Sequence, residues 1–250
     1  VSSLAVRALA GIPEVRPDDD LAALIAQAAA DSLRDGDVVA IAHKVVSKAE
    51  GRVRSLADVE PSAYAQELGA EHGKDPRAVQ VILDESDELI RAERGVLISR
   101  THHGFVCANA GVDASNAGAD DTVVLLPVDP DGSARALRAR LRELSGAVVA
   151  VLVTDSFGRA WRHGQCEVAI GCAGLVPLDD WRGRTDAEGR ELRATWIAIA
   201  DEAAAAADLV RRKDSREPVA VVSGLGDYVG DEDGPGAAAS VRARDEDLFR

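Results

Sequence analysis

Two stretches of this sequence bring oxygen ligands and cations close enough together to handle a metal ion and a phosphate. The first, residues 104–116, reads GFVCANAGVDASN. A short apolar run ends in Asn-Ala-Gly, after which Asp113, Ser115 and Asn116 supply a carboxylate, a hydroxyl and a carboxamide within four residues. One hard cation or one phosphate could use all three. Gly111 lets the backbone turn where a side chain would clash. The same Asp and Asn also fit a plain helix cap after a turn. The second stretch, residues 147–162, reads AVVAVLVTDSFGRAWR. Its seven apolar residues predict a buried strand, with Thr154, Asp155 and Ser156 at the carboxyl end and Gly158 breaking the pattern. Sites in α/β sheets gather at strand carboxyl ends. Asp155 and Ser156 can ligate a divalent ion, while Arg159 and Arg162 can hold phosphate oxygens by charge-assisted hydrogen bonds. Paired carboxylates with nearby arginines, and no cysteine or histidine ligand set, point to Mg2+ or Mn2+ bound with substrate phosphates.

These residues need a scaffold, and the apolar periodicity supplies one. Strands are predicted at residues 4–9, 37–42, 96–100, 105–108, 122–126, 147–153, 166–172 and 218–222. Helical spacing is predicted at 21–33, 61–68, 76–90, 133–144, with its arginines outward, and 195–210. The acidic run 84–88 reads as a solvated face of the third of those stretches in chain order. Residues 122–153 read as a local β-α-β unit. Between strand and helix patterns lie the basic segment 43–54, HKVVSKAEGRVR, read as a loop, and 179–193, DDWRGRTDAEGRELR, whose arginines, aspartates and glycines suit a binding loop. His102 and His103 sit in a hairpin connection without metal-ligand spacing. Residues 223–236 form a glycine- and acid-rich loop. The fold class expected is α/β with mixed sheets.

Composition narrows the function. The 250 residues carry 29 Lys plus Arg against 43 Asp plus Glu, a net charge of -14. Such a balance disfavours nucleic acid or an anionic membrane as the main partner. Cys107, Cys166 and Cys172 are odd in number and lack C-x-x-C spacing, so they read as core residues in a reducing compartment. No apolar run approaches a membrane span and no basic-then-apolar leader opens the chain, so a soluble cytoplasmic protein is expected.

The stretches SKAEGR, VCANAGVDASN, TDSFGR and DWRGRTDAEGREL, in this order, resemble the coenzyme F420-0 gamma-glutamyl ligase family. The likeness covers about residues 4–226. It implies GTP, L-glutamate and coenzyme F420-0 as substrates, two divalent ions and a monovalent ion such as K+, and a family-specific α/β fold of two subdomains in an intertwined homodimer. The whole of 1–250 would then be ligase catalytic region; in actinobacterial relatives a nitroreductase-like domain follows it. By the same resemblance, Asp113 and Asp155 match metal-binding aspartates and Ser156 falls where a serine or threonine serves the second metal. Asn116 and Lys48 match GTP contacts, and Gly11, Ile12, Pro13 and Glu14 match an amino-terminal nucleotide loop. His43 stands where the family usually has a serine that contacts nucleotide. Ser223 and Gly224 open a glycine-rich loop at the position of a further GTP-binding segment.

The chemistry suits the residues. A carboxylate does not react with an amine at neutral pH, because oxide would have to leave; phosphorylation makes that oxygen a good leaving group, so the expected intermediate is an acyl phosphate. Asp113, Asp155 and Arg159 are the catalytic candidates, acting by positioning and electrostatics. No G-x-x-x-x-G-K-[ST] run is present, which argues against a P-loop enzyme but not against GTP use. Two other functions fit the same residues: a metal-dependent nucleotide phosphohydrolase, and a GTP-binding module without catalysis.

Overall fold

The computed structural model describes residues 3–114 and 121–248. In chain order the first half runs β1 (Ala5–Ala8), α1 (Leu21–Ala29), β2 (Val38–Ala42), α2 (His43–Ala49), β3 (Val53–Ser55), α3 (Ala63–His72) and α4 (Pro76–Asp84). There follow β4 (Ser86–Glu93), β5 (Val96–Thr101), β6 (Val106–Ala108), β7 (Thr122–Val124), α5 (Pro130–Ser145) and β8 (Ala150–Arg159). The chain then forms β9 (Arg162–Ala173), β10 (Asp179–Asp180), β11 (Trp196–Ile197), α6 (Ile199–Asp208) and β12 (Val219–Ser223). The architecture is mixed α/β with several sheets.

The central sheet has the order β1-β12-β2-β8-β9, with β2 and β8 parallel and every other pair antiparallel. Its middle strands read as unbroken apolar runs because both faces are covered. Val39, Ile41, Val151 and Val153 face the cluster with α1 and α5, while Val38, Ala40, Ala150 and Leu152 face the cluster with α6. Burying each valine, isoleucine or leucine among them contributes about 1.5–3 kcal/mol. Local chemistry fixes the helix ends: Asp20 accepts from the Ala23 N–H to start α1, Asp129 accepts from the Gly132 N–H to start α5, and Gly146 ends α5 at φ +72°. Among the described residues three smaller sheets, β3-β7, β4-β5-β6 and β10-β11, lie outside the central one. Helices α3 and α4 pack on the second of these through Ala65, Leu68, Val79, Ile82 and Leu97.

Several expectations change. The basic segment 43–54 is not a solvated loop: its first seven residues form α2, with His43, Val46, Ser47 and Lys48 buried, because its cations find partners on other elements. The predicted helix 76–90 stops at Asp84 with Glu85 as its cap, and the rest of the acidic run, 86–88, opens β4, whose antiparallel pairing with β5 outweighs the helical spacing. The Ala-rich helix starts only at Ile199, since Trp196–Ile197 pairs with Asp179–Asp180. Residues 122–153 are not one β-α-β unit, because β7 pairs with β3 in a separate sheet. Arg138 of α5 is buried rather than outward, for it bonds the Val149, Gly230 and Asp231 carbonyls and the Asp233 carboxylate. Gly158 does not end its strand; β8 and β9 run on together as a two-stranded arm. Among the described residues no helix is long and apolar enough to cross a membrane.

Candidate functional site

The site lies where β2 and β8 reach their carboxyl ends side by side. Thr154 is the last residue of β8 paired to β2, opposite Ala42, so Asp155 is the first beyond that pairing, held now by β9 alone opposite Val168. From Ala42 the chain turns directly into α2. Helical spacing then puts His43 and Ser47 on one ridge and Lys44 and Lys48 on the next. The first ridge faces Asp155: His43, only 1% exposed, holds Nε2 3.4 Å from Asp155 Oδ1 and Nδ1 3.3 Å from Ser47 Oγ. Among the described residues that Nε2 has no hydrogen-bond partner of normal geometry. The second ridge joins two distant segments. Lys44 Nζ sits 2.7 Å from Asp113 Oδ2, and Lys48 Nζ sits 2.5 Å from Glu14 Oε1.

Asp113 is delivered by the stretch predicted to deliver it. The backbone passes through three successive left-handed residues, Asn109, Ala110 and Gly111, and Asp113 then bridges to Val124. A side chain at Gly111, φ +72°, would collide with Leu126. Burial alone would push the Asp155 carboxyl up. His43, the Ser156 N–H and Lys44 more than offset that, and hold it below the usual carboxylate range. Burial pushes the neighbouring Cys107 thiol up to about 12, aided by the Asp155 charge, so it is an inert thiol behind the site.

These observations set the terms for a divalent ion. Asp113 and Asp155 bring two carboxylates to the same lysine, with His43 on the Asp155 side. An ionised pair with oxygen lone pairs to spare fits a hard cation. Among the described residues no three His, Cys, Asp or Glu side chains cluster for a metal, so substrate oxygens or water would have to complete the shell.

Ser156 has different company. Its Oγ donates to Glu167 Oε1 at 2.6 Å and accepts from Lys213 Nζ at 2.8 Å. Glu167 is buried and also takes the Arg211 guanidinium at 3.1 Å, which in turn donates to Thr154 Oγ1 at 2.9 Å. Burial lowers the Arg211 pKa despite the opposing charges of Glu167 and Asp208.

Of the other expected site residues, Gly11, Ile12, Pro13 and Glu14 lie in the loop before α1, tied to α2 through Glu14 and Lys48. Asn116 and Ser115 lie outside the described residues. Arg159 is not brought to Asp155; it donates to the His163 and Gly164 carbonyls across the tip of its own arm. Ser223 and Gly224 are at the opposite end of the sheet, where Ser223 Oγ donates to Asp37 Oδ1 at 2.6 Å. Lys44, Glu167, Arg211 and Lys213 were not singled out from sequence. A lone glutamate in the apolar run CEVAIGCA was the one available signal. Beside the site, Phe105, Phe157, Val168, Arg100 and Asp201 line a cavity of about 330 Å³. Phe157 lies two residues beyond Asp155 on the same strand.

Known proteins match most of this chain. The family described as F420-0:Gamma-glutamyl ligase matches residues 11–224. A protein of Methanopyrus kandleri named coenzyme F420:L-glutamate ligase is 48% identical over 239 residues, covering 95% of this chain and 94% of its own length. Proteins of the same name from Methanothermobacter thermautotrophicus and Haloarcula marismortui are 43% and 46% identical; the alignments cover 96% and 91% of this chain, and 96% and 90% of theirs.

Proposed function

The chain belongs to the F420-0:gamma-glutamyl ligase family, and from that premise we propose that it joins L-glutamate to coenzyme F420-0 with GTP as the phosphoryl donor. The observation that carries the reading is the convergence on α2: Asp155, Asp113 and the Glu14 loop, far apart in sequence, all meet side chains of seven consecutive residues. With two lysines on one ridge, His43 on the next, and two carboxylates facing it, this helix suits a metal-bound triphosphate.

In the proposed reaction an oxygen of the acceptor carboxylate attacks the terminal phosphorus of GTP, and the bond to the GDP oxygen breaks. The glutamate amine then attacks the acyl carbon, loses a proton, and phosphate leaves. A divalent ion held by Asp113 and Asp155 would neutralise charge on the transferring phosphoryl group. Lys44 and Lys48 would hold triphosphate oxygens once released from Asp113 and Glu14, each exchanging a carboxylate for a phosphate. His43 packs against Asp155 and fixes its direction. The apolar wall of Phe105, Phe157 and Val168, whose two phenyl rings meet edge to face, offers an apolar surface for the deazaflavin ring of the acceptor within reach of Asp155.

K+ is the proposed monovalent ion, and a homodimer the proposed assembly; the projecting arm with Trp161 81% exposed at its tip is the surface that favours pairing. The test is mass spectrometry after incubation with GTP, Mn2+, K+, L-glutamate and coenzyme F420-0, with glutamate omitted in a parallel sample. A glutamate-dependent product heavier by one or more glutamyl residues, matched by GDP, is expected. GDP in both samples with unchanged acceptor would replace the ligase with a phosphohydrolase. GTP binding without GDP in either would leave a binding module.

A further inference from the structure

We infer that Arg100 reads the acidic tail of the acceptor: in the cavity beside the site, its guanidinium takes an oxyanion of the lactyl-phosphate tail of coenzyme F420-0. The inference rests on the proposed ligase function, which sets the deazaflavin ring against Phe105 and Phe157. It adds the residue that tells an acidic acceptor from the bare ring.

Three observations carry it. First, the apolar wall shares a side with the carboxylate of the site. Alternate residues of a strand point the same way and directly opposed residues share a face, so Asp155, Phe157 and, opposite Asp155, Val168 project together from the β8–β9 arm. Second, β5 turns Arg100 away from its own core. Leu97, Ser99 and Thr101 are buried on one face, with Leu97 in the cluster of α3 and α4. Arg100 lies on the other face, opposite Val106, and both line the cavity. Third, Arg100 is enclosed without being satisfied. Its side chain is 11% exposed, yet among the described residues its buried Nε has no hydrogen-bond partner, and Nη1 donates to the Gly104 carbonyl at a long 3.3 Å. Glu88 Oε2 and Asp247 Oδ2 each stand 3.8 Å away, beyond hydrogen-bond length. An enclosed guanidinium with donors left over costs free energy that an oxyanion at bonding distance offsets, and its planar fork matches a carboxylate or a phosphate. Asp247 also lines the cavity, so its carboxylate competes with a ligand acid for the same group.

The experiment is a fluorescence titration of three probes into the unaltered chain and its variants: the deazaflavin ring alcohol without a tail, the same alcohol phosphorylated, and coenzyme F420-0. Arg100→Met should weaken coenzyme F420-0 about tenfold or more, the scale of one charge-assisted hydrogen bond, and leave the tail-less ring within about twofold. Arg100→Lys, which keeps the charge without the fork, should recover part of the loss. A loss already present with the phosphorylated alcohol places the guanidinium on the phosphate; one confined to coenzyme F420-0 places it on the carboxylate. Asp247→Asn should tighten coenzyme F420-0, because the resident charge no longer competes. Undiminished binding of coenzyme F420-0 by Arg100→Met, or an equal loss for all three probes, would overturn the inference. So would a loss in Asp247→Asn that matches the one in Arg100→Met, for the pair would then be a structural clasp. Failure of the ligase reading looks different: the unaltered chain would bind none of the three probes, and Arg100 would lose its acceptor role with it.

Discussion

Arg138 and Arg211 are each 6% exposed, yet they sit at opposite ends of the same strand and do different things. Arg138 works at the entry to β8. It donates to the Val149, Gly230 and Asp231 carbonyls and to Asp233, pinning the 230–233 loop to α5. Arg211 works at the exit, on Thr154 and Glu167, and the chain of bonds continues through Ser156 to the exposed Lys213. Burial is the same in both cases; what differs is where the partners lead. A buried cation that closes onto backbone holds the fold, whereas one whose partners run out to solvent beside ionised carboxylates prepares a binding place.

The sharpest way to strain this contrast is at Asp155, where the exit end meets chemistry. Asp155→Asn keeps the size and the bond from the Ser156 N–H but removes the charge that His43 and Lys44 compensate. Turnover is expected to fall by about a thousandfold or more, on the scale of losing a main electrostatic contributor, while the thermal unfolding midpoint stays within a few degrees. Full turnover in the folded variant, with metal saturating, would remove Asp155 from the mechanism. Next in size are the two arginines. Replacing either by methionine leaves buried acceptors unpaired and should cost about 3–5 kcal/mol by denaturant titration. The comparison breaks or holds on the second measurement: in the residual folded protein, Arg138→Met should bind the GTP analogue as the unaltered chain does, and Arg211→Met should bind it more weakly. Equal affinities would mean that the exit end is as purely structural as the entry. At the edge of the same site, Lys48→Ala should weaken the analogue about tenfold, the scale of one charge-assisted hydrogen bond; an unchanged affinity would confine Lys48 to its bond with Glu14.

The entry and exit ends also differed in how well they could be read from sequence. Strands β2 and β8, helices α1 and α5, and the turn at Gly111 were legible because apolar periodicity, capping aspartates and glycine act over a few residues. Helix α2 was hidden by its own cations: HKVVSK reads as solvated until Asp113, Asp155 and Glu14 arrive from elsewhere to pair with it. Glu167, Arg211 and Lys213 were missed for the same reason. Glu167 and Arg211 are 44 residues apart, and Lys213 is 57 from Ser156, so no local pattern connects them. The break between β8 and β2 at Asp155 depends on register, which only the assembled sheet defines.

The smallest expected effect is at Asp201, in the first turn of α6 and on the cavity beside the site. Its carboxylate accepts from the Ala169 N–H at 2.9 Å, but burial outweighs that bond and pushes its pKa up. The sign follows from proton binding. With the folded pKa above the unfolded one, the folded chain holds more protons between the two values, so stability falls as pH rises through that window and then stays level. Asp201→Asn keeps the acceptor for Ala169 and removes the titration. Its stability relative to the unaltered chain should therefore improve as pH rises from below 3.8, the ordinary value, towards neutrality. The gain is small, because the α6 dipole favours a carboxylate at this end by about 0.3–1 kcal/mol. Denaturant titrations of both chains at several pH values measure the gap directly. A gap independent of pH would mean that Asp201 is solvated, and that the wall of the cavity beneath Phe105 and Phe157 is wetter than the apolar surface proposed for the acceptor ring.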